Sequence, residues 1–245
     1  MASNGARILS GKAALVTGGS RGIGRAIAEA YARQGAQVFV CGRDEKNLRR
    51  AIDEMQKAGG DVEGLAGDVG NPEDVRRIAG AAVKRCGAIH ILVNNASILG
   101  PREMIENYPP PAWGEVLRTN LTGVFLMIRA VLPVMRAQEA GSIINVTSGV
   151  VRRGRARWGA YAVSKAGLES LTQVLAEELA QDGIRVNSVN PAATRTAMRA
   201  QAYPAEDPLT LPTPEGILPI FLYLASDASA AVTGQSLEAR DWLKS

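Results

Sequence analysis

The chain has 245 residues, of which 46% are hydrophobic and 21% charged, and its formal net charge at pH 7 is only +4. This composition is typical of a globular protein and excludes a fibrous or disordered chain. The small net charge does not indicate nucleic-acid binding, and two cysteines are too few for a disulfide framework. A reducing, cytoplasmic location is therefore expected.

A single histidine, His90, restricts the chemistry further. It falls within the apolar run 89–93, which favours a packed histidine over the base of a Ser-His-Asp hydrolase. The single histidine and the two cysteines also provide no metal-ligand set. Residues 1–10 are expected to form a tail without an apolar signal core, and Arg129 and Pro133 interrupt the apolar stretch 122–135. No membrane-spanning segment is expected.

The first predicted strand, 13–17, is followed by a glycine-rich loop and a helix over 23–32. Glycines in such a loop permit a tight turn and let the backbone approach a pyrophosphate, whose charge the N–H groups at the helix start would stabilise. The pattern predicts a dinucleotide site formed by Gly18, Ser20, Arg21, Gly22, Ile23 and Gly24.

The second strand, 37–41, ends at Gly42-Arg43, before a helix over 45–57. In dinucleotide folds an acidic residue here binds a ribose 2′-hydroxyl, whereas an arginine accommodates a 2′-phosphate. Position 42 carries no acid, and Arg21 and Arg43 could both face the phosphate, so NADP(H) is predicted over NAD(H). Alternatively, Arg43 is a surface residue at the start of the helix and has no role in cofactor binding.

The third strand, 62–66, leads to Asp68-Val69 and then to a helix over 72–84. Asp68 could bind the adenine amino group or cap this turn. The fourth strand, 89–93, ends in Asn94-Asn95-Ala96-Ser97, at the edge where open α/β sheets bind ligands.

A long helix is predicted over 113–135, with Asn120 among its apolar residues. Asn120 either bridges packed backbone groups or holds a water molecule. Later predicted elements are strands at 142–147, 185–189 and 236–239, a helix starting at Tyr161 and a helix over 214–225. Alternating strands and helices predict a single α/β domain built on a doubly wound parallel sheet.

Tyr161 and Lys165 are four residues apart, so they share one face of their helix. An adjacent ammonium favours the phenolate of tyrosine, which makes Tyr161 a candidate general acid or base. The same spacing also occurs by chance on solvated helix faces.

Together these motifs resemble the short-chain dehydrogenase/reductase family, in the subgroup that includes 3-oxoacyl-[acyl-carrier-protein] reductases. The resemblance spans residues 10 to about 236 and implies a Rossmann-like sheet of about seven strands with helices on both faces. The motifs are Thr17-Gly-Gly-Ser-Arg-Gly-Ile-Gly24, Asp68-Val69, Asn94-Asn95-Ala96, Asn120, Ser148, Tyr161, Lys165, and Asn190-Pro191 with Thr196.

The resemblance implies hydride transfer between a nicotinamide and a carbonyl or alcohol carbon. Tyr161 would exchange the proton, Ser148 would bind the substrate oxygen, Lys165 would hold the nicotinamide ribose, and Asn120 would position a water molecule. It also implies a homodimer or homotetramer. Further cofactor contacts carried by the resemblance are Val69, Asn94, Ala96, Pro191, Thr194 and Thr196.

Several segments depart from the family pattern. Ser97 and Ala192 replace usual glycines, and the C-terminal segment after 236 lacks the usual glycine pair. The substrate lid, 197–213, is short, which suggests a more open pocket. Four arginines between Ser148 and Tyr161 either form a solvated surface or recruit an anionic substrate, such as a coenzyme A thioester, carrier-protein group or keto acid; they are Arg152, Arg153, Arg155 and Arg157.

The residues leave the substrate open: a 3-oxoacyl thioester, or an unrelated ketone, aldehyde, keto acid or sugar. A protein that senses NADP(H) without chemistry is an alternative, although it would not need Ser148, Tyr161 and Lys165. Nucleic-acid binding through the arginines is not expected, because only Trp158 lies among them.

Overall fold

A computed structural model describes residues 7–243 as one parallel sheet with helices on both faces. The strand order is β3-β2-β1-β4-β5-β6-β7, which confirms the predicted doubly wound sheet. The strands are β1 (Ala13–Thr17), β2 (Gln37–Gly42), β3 (Val62–Ala66), β4 (Ile91–Asn94), β5 (Gly141–Val146), β6 (Ile184–Asn190) and β7 (Ser236–Glu238).

Eight α-helices cover the sheet in the described part of the chain. They are α1 (Gly22–Arg33), α2 (Glu45–Lys57), α3 (Pro72–Cys86), α4 (Pro110–Leu117), α5 (Gly123–Ala137), α6 (Gly159–Glu178), α7 (Ala197–Ala202) and α8 (Leu218–Ala225). One core contains residues of α1, α2 and α8, and the other contains residues of α3, α5 and α6. Side chains of a strand alternate between the faces, so Leu15 joins one core while Ala14 and Val16 join the other.

The strand order reverses at β1, which pairs with β2 on one side and with β4 on the other. Connections from the carboxyl ends of these two strands therefore run to opposite sides and leave a crevice between them. Open α/β sheets bind ligands in such a crevice. The glycine-rich loop follows β1, and the Asn94-Asn95-Ala96 motif lies at the end of β4.

The predicted helix over 113–135 is not one regular helix. It begins at Pro110, passes through a π-helical segment at Arg118–Thr122 and continues as α5 to Ala137. Such widened turns often occur at functional sites, and this one contains Asn120. The helix predicted from 214 also differs: Pro214–Ile217 is a 3₁₀ turn before α8, whose first turn contains a proline that lacks the N–H needed to continue a preceding helix.

The predicted N-terminal tail is wrong for residues 7–10, while residues 1–6 lie outside the described part. Residues 8–11 form a turn in which Leu9 is fully buried, and the Leu9 N–H donates to the carbonyl of Gln34 at 3.0 Å. The apolar Leu9 side chain joins the core of α1 and α8, so this segment is part of the domain.

The segment Pro110–Ala137 is long and apolar enough to cross a membrane by length and composition, with a mean hydropathy of 1.3. In the fold it packs against β4, α3 and α6, and Met127 and Val131 are buried in the core. It is therefore a core helix of this domain, whose outward face retains exposed apolar residues such as Phe125.

Candidate active site

Tyr161, Lys165 and Ser148 meet at the carboxyl end of β5. Ser148 follows that strand by two residues, and Tyr161 lies in the first turn of α6. The Lys165 ammonium donates to the carbonyl oxygen of Val146 at 2.7 Å and lies 5.8 Å from the centre of the Tyr161 ring. Tyr161 is 8% exposed and Lys165 2%, so the pair does not lie on a solvated helix face.

Burial controls the ionisation of both side chains. It raises the pKa of Tyr161, although a hydrogen bond with the Ser148 hydroxyl acts in the opposite direction. The net direction is therefore opposite to the favoured phenolate that the spacing to Lys165 predicts. Burial also lowers the pKa of Lys165 to about 8, partly countered by the Glu169 carboxylate. At neutral pH the site thus holds a phenol beside an ammonium.

Asn120 bridges backbone groups, as the default interpretation predicts. Its Oδ1 accepts from the Ile98 N–H at 2.8 Å, while its Nδ2 donates to the Ile98 carbonyl at 2.9 Å and to Ser164 Oγ at 3.1 Å. Ser164 Oγ in turn donates to the Tyr161 carbonyl at 2.7 Å. Both amide protons of Asn120 are used, so its side chain positions α6 and has no proton left for a water molecule.

The glycine-rich loop has the geometry of an anion site. Gly18 and Gly22 have positive φ angles of 67° and 55°, and Arg21 is extended at the N-cap of α1. The N–H groups in the first turn of a helix have no intrahelical acceptor, so they can bind phosphate oxygens. Ile23 is half-buried and packs against the core. A Cβ at Gly24 would lie 2.3 Å from Asn95 Nδ2 and from the Gly18 carbonyl oxygen.

Asn95 and Thr17 join this loop to β4, a role that the motif alone does not assign to them. Thr17 Oγ1 accepts from the N–H groups of Asn95 and Ala96, both at 3.0 Å, and Asn95 Nδ2 donates to the Thr17 carbonyl at 3.0 Å. Asn94 instead donates to Asn145 Oδ1 at 2.9 Å. In the sequence, these bridging residues could be recognised as polar residues at the ends of predicted strands. Asn145 could be recognised as a polar residue inside a predicted strand.

The end of β2 has the features expected for a 2′-phosphate site. A Cβ at Gly42 would lie 3.2 Å from Ser20 Oγ, which brings the loop next to this strand end. Arg43 is half-exposed, and among residues 7–243 its one ion pair is a long one, 3.7 Å, with Glu115. Arg21, the residue after Ser20, is exposed. Position 42 carries no acid, and the two arginines are Arg21 and Arg43. In dinucleotide folds this pattern suits a 2′-phosphate better than a free hydroxyl.

Asp68 is held by protein groups. Its Oδ1 accepts from the Gly70 N–H at 2.9 Å, and its Oδ2 accepts from Arg118 at 2.8 Å. Burial by itself would raise the pKa of Asp68, but the Gly70 N–H and the Arg118 guanidinium hold it below its ordinary value. This arrangement matches the turn-capping alternative, and the adenine contact stays a prediction. The neighbouring Val69 is buried against Gly123 at the start of α5.

The segment after β6 approaches the glycine-rich loop. Thr196 caps α7 by accepting from the Arg199 N–H at 3.1 Å, and its methyl group lies 3.6 Å from a Cβ placed on Gly22. Thr194 is buried and donates to the Pro191 carbonyl at 2.7 Å. Ala192 has a φ of 58°, the conformation that explains why relatives of the resembled family use glycine there.

The arginine segment mostly contacts protein. Arg152 pairs with the buried carboxylate of Glu238 at 2.8 Å, and Arg155 reaches the Tyr203 hydroxyl at 3.3 Å. Glu238 Oε2 also accepts from Asn190 Nδ2 at 2.8 Å, so β7 holds segments on both sides of the site. Arg153 and Arg157 are exposed, and neither side chain makes a hydrogen bond or an ion pair within the described residues.

The segment 197–213, which the sequence predicts to be a short substrate lid, packs against the aromatic residues beside Tyr161. Tyr203 packs on Trp158 with ring centres 5.8 Å apart, and Trp158 packs on Tyr161 at 5.6 Å. Trp158 is only 7% exposed. The expected open pocket is therefore not found on this side of Tyr161, because aromatic side chains from the lid and the arginine segment fill the space.

His90 takes no part in this site. Its Nδ1 accepts from the Ala13 N–H at 2.9 Å, at the amino end of β1 and so at the opposite edge of the sheet. Burial lowers the pKa of His90. The packed interpretation of this histidine agrees with the structure, and no metal-ligand cluster occurs among residues 7–243.

Known proteins resemble the chain over nearly its whole length. The sequence model of a family described as short chain dehydrogenase matches residues 12–207. The oxidoreductase YciK of Escherichia coli strain K12, itself described as uncharacterized, is 38% identical and the match covers 95% of this chain and 93% of YciK. The 3-oxoacyl-[acyl-carrier-protein] reductase FabG of Vibrio cholerae is 36% identical, with 94% and 96% covered. A short chain dehydrogenase of Shigella flexneri, solved in complex with NADP, has a TM-score of 0.91 at 38% identity, with 96% and 99% covered.

Proposed function

The chain belongs to the short-chain dehydrogenase family and is a nicotinamide-dependent oxidoreductase of alcohols and carbonyls, and from this premise we propose that it reduces a carbonyl compound with NADPH. The observation that carries the proposal is the convergence of Ser148 with the buried Tyr161 and Lys165 at the carboxyl end of β5. In this proposal Ser148, Tyr161 and Lys165 are catalytic, and Asn120 is a positioning residue.

The chemistry follows from the charge that develops at the carbonyl. When bound, the nicotinamide would supply the hydride, and the carbonyl oxygen would become negative. Tyr161, whose pKa is raised by burial and which is protonated at neutral pH, then donates its proton to that oxygen. The Ser148 hydroxyl donates a second hydrogen bond, which stabilises the same charge. Lys165 would hold the nicotinamide ribose and keep a positive charge near the phenol.

The remaining expected cofactor contacts are compatible with this arrangement. The N-terminus of α1 would bind the pyrophosphate, and the segment Pro191–Thr196 would lie along the nicotinamide. The Shigella flexneri relative complexed with NADP supports the cofactor class. The contacts at Asp68, Val69, Asn94 and Ala96 belong to the same proposal.

NADP(H) is proposed over NAD(H) because Arg43 directly follows β2 and Arg21 lies in the glycine-rich loop, whose Ser20 approaches the end of that strand. We expect the double variant Arg21→Ala/Arg43→Ala to weaken NADPH binding by roughly 10- to 100-fold, the loss typical of hydrogen bonds to a charged group. NADH affinity should change little, since NADH lacks the 2′-phosphate. Titration of both cofactors measures this, with Arg49→Ala as the control on an exposed face of α2. Equal losses for both cofactors would contradict a 2′-phosphate site.

For the substrate, a 3-oxoacyl thioester is the first choice, supported by the FabG relative. The test is to measure NADPH oxidation in the presence of a short 3-oxoacyl thioester, using the absorbance of NADPH to monitor the reaction. A panel of ketones, aldehydes, sugars and keto acids tests the alternative carbonyl substrates. Turnover in none of them, with NADPH bound, would favour the alternative of an NADP(H)-sensing protein.

We also propose that the substrate is anionic and that the exposed guanidinium groups of Arg153 and Arg157 attract it. Salt screens such attraction, so kcat/KM should fall with ionic strength for an anionic substrate and hold steady for a neutral one. Equal salt dependence would exclude recruitment by these arginines.

Nucleic acid is not a proposed partner, and a cytoplasmic location is proposed from the two free cysteines.

Self-association is proposed through the outer faces of α5 and α6. Phe125 is 46% exposed there, and a groove beside it is lined by Ile128, Leu132 and Leu171. Exposed apolar surface of this kind is common where subunits pack. A homodimer or homotetramer would cover it.

We expect Phe125→Asp to shift the protein to a smaller species, because a buried charge in an apolar interface is costly. Sedimentation velocity measures the change. Leu209→Asp is the matched control, since Leu209 is 75% exposed and lies on the lid, away from this face. If both variants keep the wild-type mass, the interface lies elsewhere.

A further inference from the structure

Arg102, in the loop after β4, connects two segments that border the site. Its Nε donates to the carbonyl of Arg157 at 3.0 Å, just before α6, and its Nη1 donates to the carbonyl of Ala202 at 2.8 Å, at the end of α7. One side chain thus joins the lid to the segment that leads into Tyr161. A planar guanidinium can make two such bonds in different directions, whereas an ammonium acts as a point charge.

The guanidinium also stacks on the aromatic residues that close the lid. Its central carbon lies 4.3 Å from the centre of the Trp158 ring and 5.7 Å from that of Tyr203. Cation–π contacts at these distances are attractive. Trp158 packs directly on Tyr161, so Arg102 is separated from the phenol by one aromatic ring.

The two carbonyls that Arg102 binds belong to backbone that needs support. Arg157 has a φ of 66°, a strained conformation for a residue with a side chain, which persists only where its surroundings fix it. Ala202 is the last residue of a helix of only six residues. Its carbonyl would otherwise be one of the unpaired groups at a helix C-terminus.

A second arginine holds the lid from within. Arg199 lies 3.8 Å from the centre of the Tyr203 ring and makes two bonds of 2.6 Å to the Glu206 carboxylate. These contacts are internal to the lid, so they shape it without attaching it to the rest of the domain. Next to Tyr161 the lid is attached by Arg102, by the ring contacts of Trp158 and by the hydrogen bond from Arg155 to the Tyr203 hydroxyl.

We propose that Arg102 is a positioning residue that clasps the lid against the segment carrying Trp158 and so sets how the substrate side of Tyr161 closes. This proposal rests on the reductase function for its kinetic consequence, but the clasp itself is a property of the protein. Arg102 touches no residue of the glycine-rich loop in its hydrogen bonds, so cofactor binding is separable from it.

The test compares wild type, Arg102→Ala, Arg102→Lys and the surface control Arg49→Ala by hydrogen exchange and by kinetics. For Arg102→Ala we expect amide exchange across residues 197–206 to quicken by at least about tenfold, because two charge-assisted bonds are lost. Exchange in β5 and β6 should stay at the wild-type rate. Lysine should restore the lid only in part, since it cannot bind both carbonyls as a fork.

Kinetically, Arg102→Ala should raise KM by about tenfold while kcat falls less than about threefold, because the clasp orders the closed site rather than the reacting atoms. NADPH affinity should remain that of wild type. Unchanged lid exchange in Arg102→Ala, or full restoration by lysine, would overturn the clasp. Absence of turnover in wild type would instead refute the reductase function, and the exchange result would still decide the clasp.

Discussion

Tyr161→Phe is expected to reduce kcat by roughly 10²- to 10⁴-fold, the usual contribution of general acid catalysis. The change removes one oxygen and keeps the ring that packs on Trp158, so the fold and the lid contacts should survive. NADPH affinity should be close to wild type, because the glycine-rich loop is untouched. Steady-state turnover with the best substrate, together with an NADPH titration, measures both effects.

Tyr108→Phe is the matched control for that experiment. Tyr108 lies in the same aromatic cluster as Tyr161, and its hydroxyl is buried without a hydrogen-bond partner among residues 7–243. Removing an unsatisfied hydroxyl is neutral or slightly stabilising. Turnover of Tyr108→Phe should therefore match wild type. If Tyr161→Phe also retained turnover, the tyrosine would have no part in proton transfer.

Gly24→Ala is expected to lower the free energy of unfolding by about 1–3 kcal/mol, the typical cost of inserting a methyl group into a packed site. The added Cβ would lie 2.3 Å from both Asn95 Nδ2 and the Gly18 carbonyl oxygen, and one of these is backbone that cannot rotate away. The glycine-rich loop must shift, so NADPH affinity should fall as well. Denaturant unfolding and cofactor titration measure the two losses.

Gly80→Ala is the control, for which the opposite change in the free energy of unfolding is expected. Gly80 lies inside α3, and a Cβ there meets nothing within 4 Å. Alanine in a helix interior is favoured over glycine by about 0.8–1.0 kcal/mol, so this variant should be more stable than wild type. A stable Gly24→Ala with normal NADPH affinity would mean that the loop does not require the close approach.

The two pairs of variants separate chemistry from architecture. Tyr161→Phe tests the reacting hydroxyl in an intact fold, whereas Gly24→Ala tests the turn that would hold the cofactor. Loss of turnover in both, with loss of NADPH binding only in Gly24→Ala, is the combination that the proposed reductase predicts. Loss of NADPH binding in Tyr161→Phe would show that the tyrosine holds the cofactor rather than serving only in proton transfer.

The sequence by itself determined the sheet, the glycine-rich loop and the pairing of Tyr161 with Lys165. Each of these follows from local rules: apolar runs make buried strands, glycines permit a tight turn, and four residues make one helical turn. The bounds of β1, α2 and β3 agree with the prediction because turn residues or polar caps flank them, such as Asp44, which accepts from the Asn47 N–H at the start of α2.

The helix around Asn120 shows where local rules end. Its apolar periodicity continues through the π-helical segment, so the sequence gives no sign of the widened turn. The side chain's partners, Ile98 and Ser164, lie 22 and 44 residues away along the chain. Whether Asn120 binds backbone or holds water depends on those partners, which only the packed structure brings together.

Tertiary structure alone also decided the ionisation of Tyr161 and the use of the arginines. The spacing to Lys165 predicts a favoured phenolate, but burial, which is a property of the whole fold, raises the pKa of Tyr161. Arg152 is bound by Glu238, and Arg102 reaches Ala202, 100 residues further along the chain. Such long-range contacts leave no local periodicity, so the sequence determined which residues could do the chemistry, while packing decided their protonation and their neighbours.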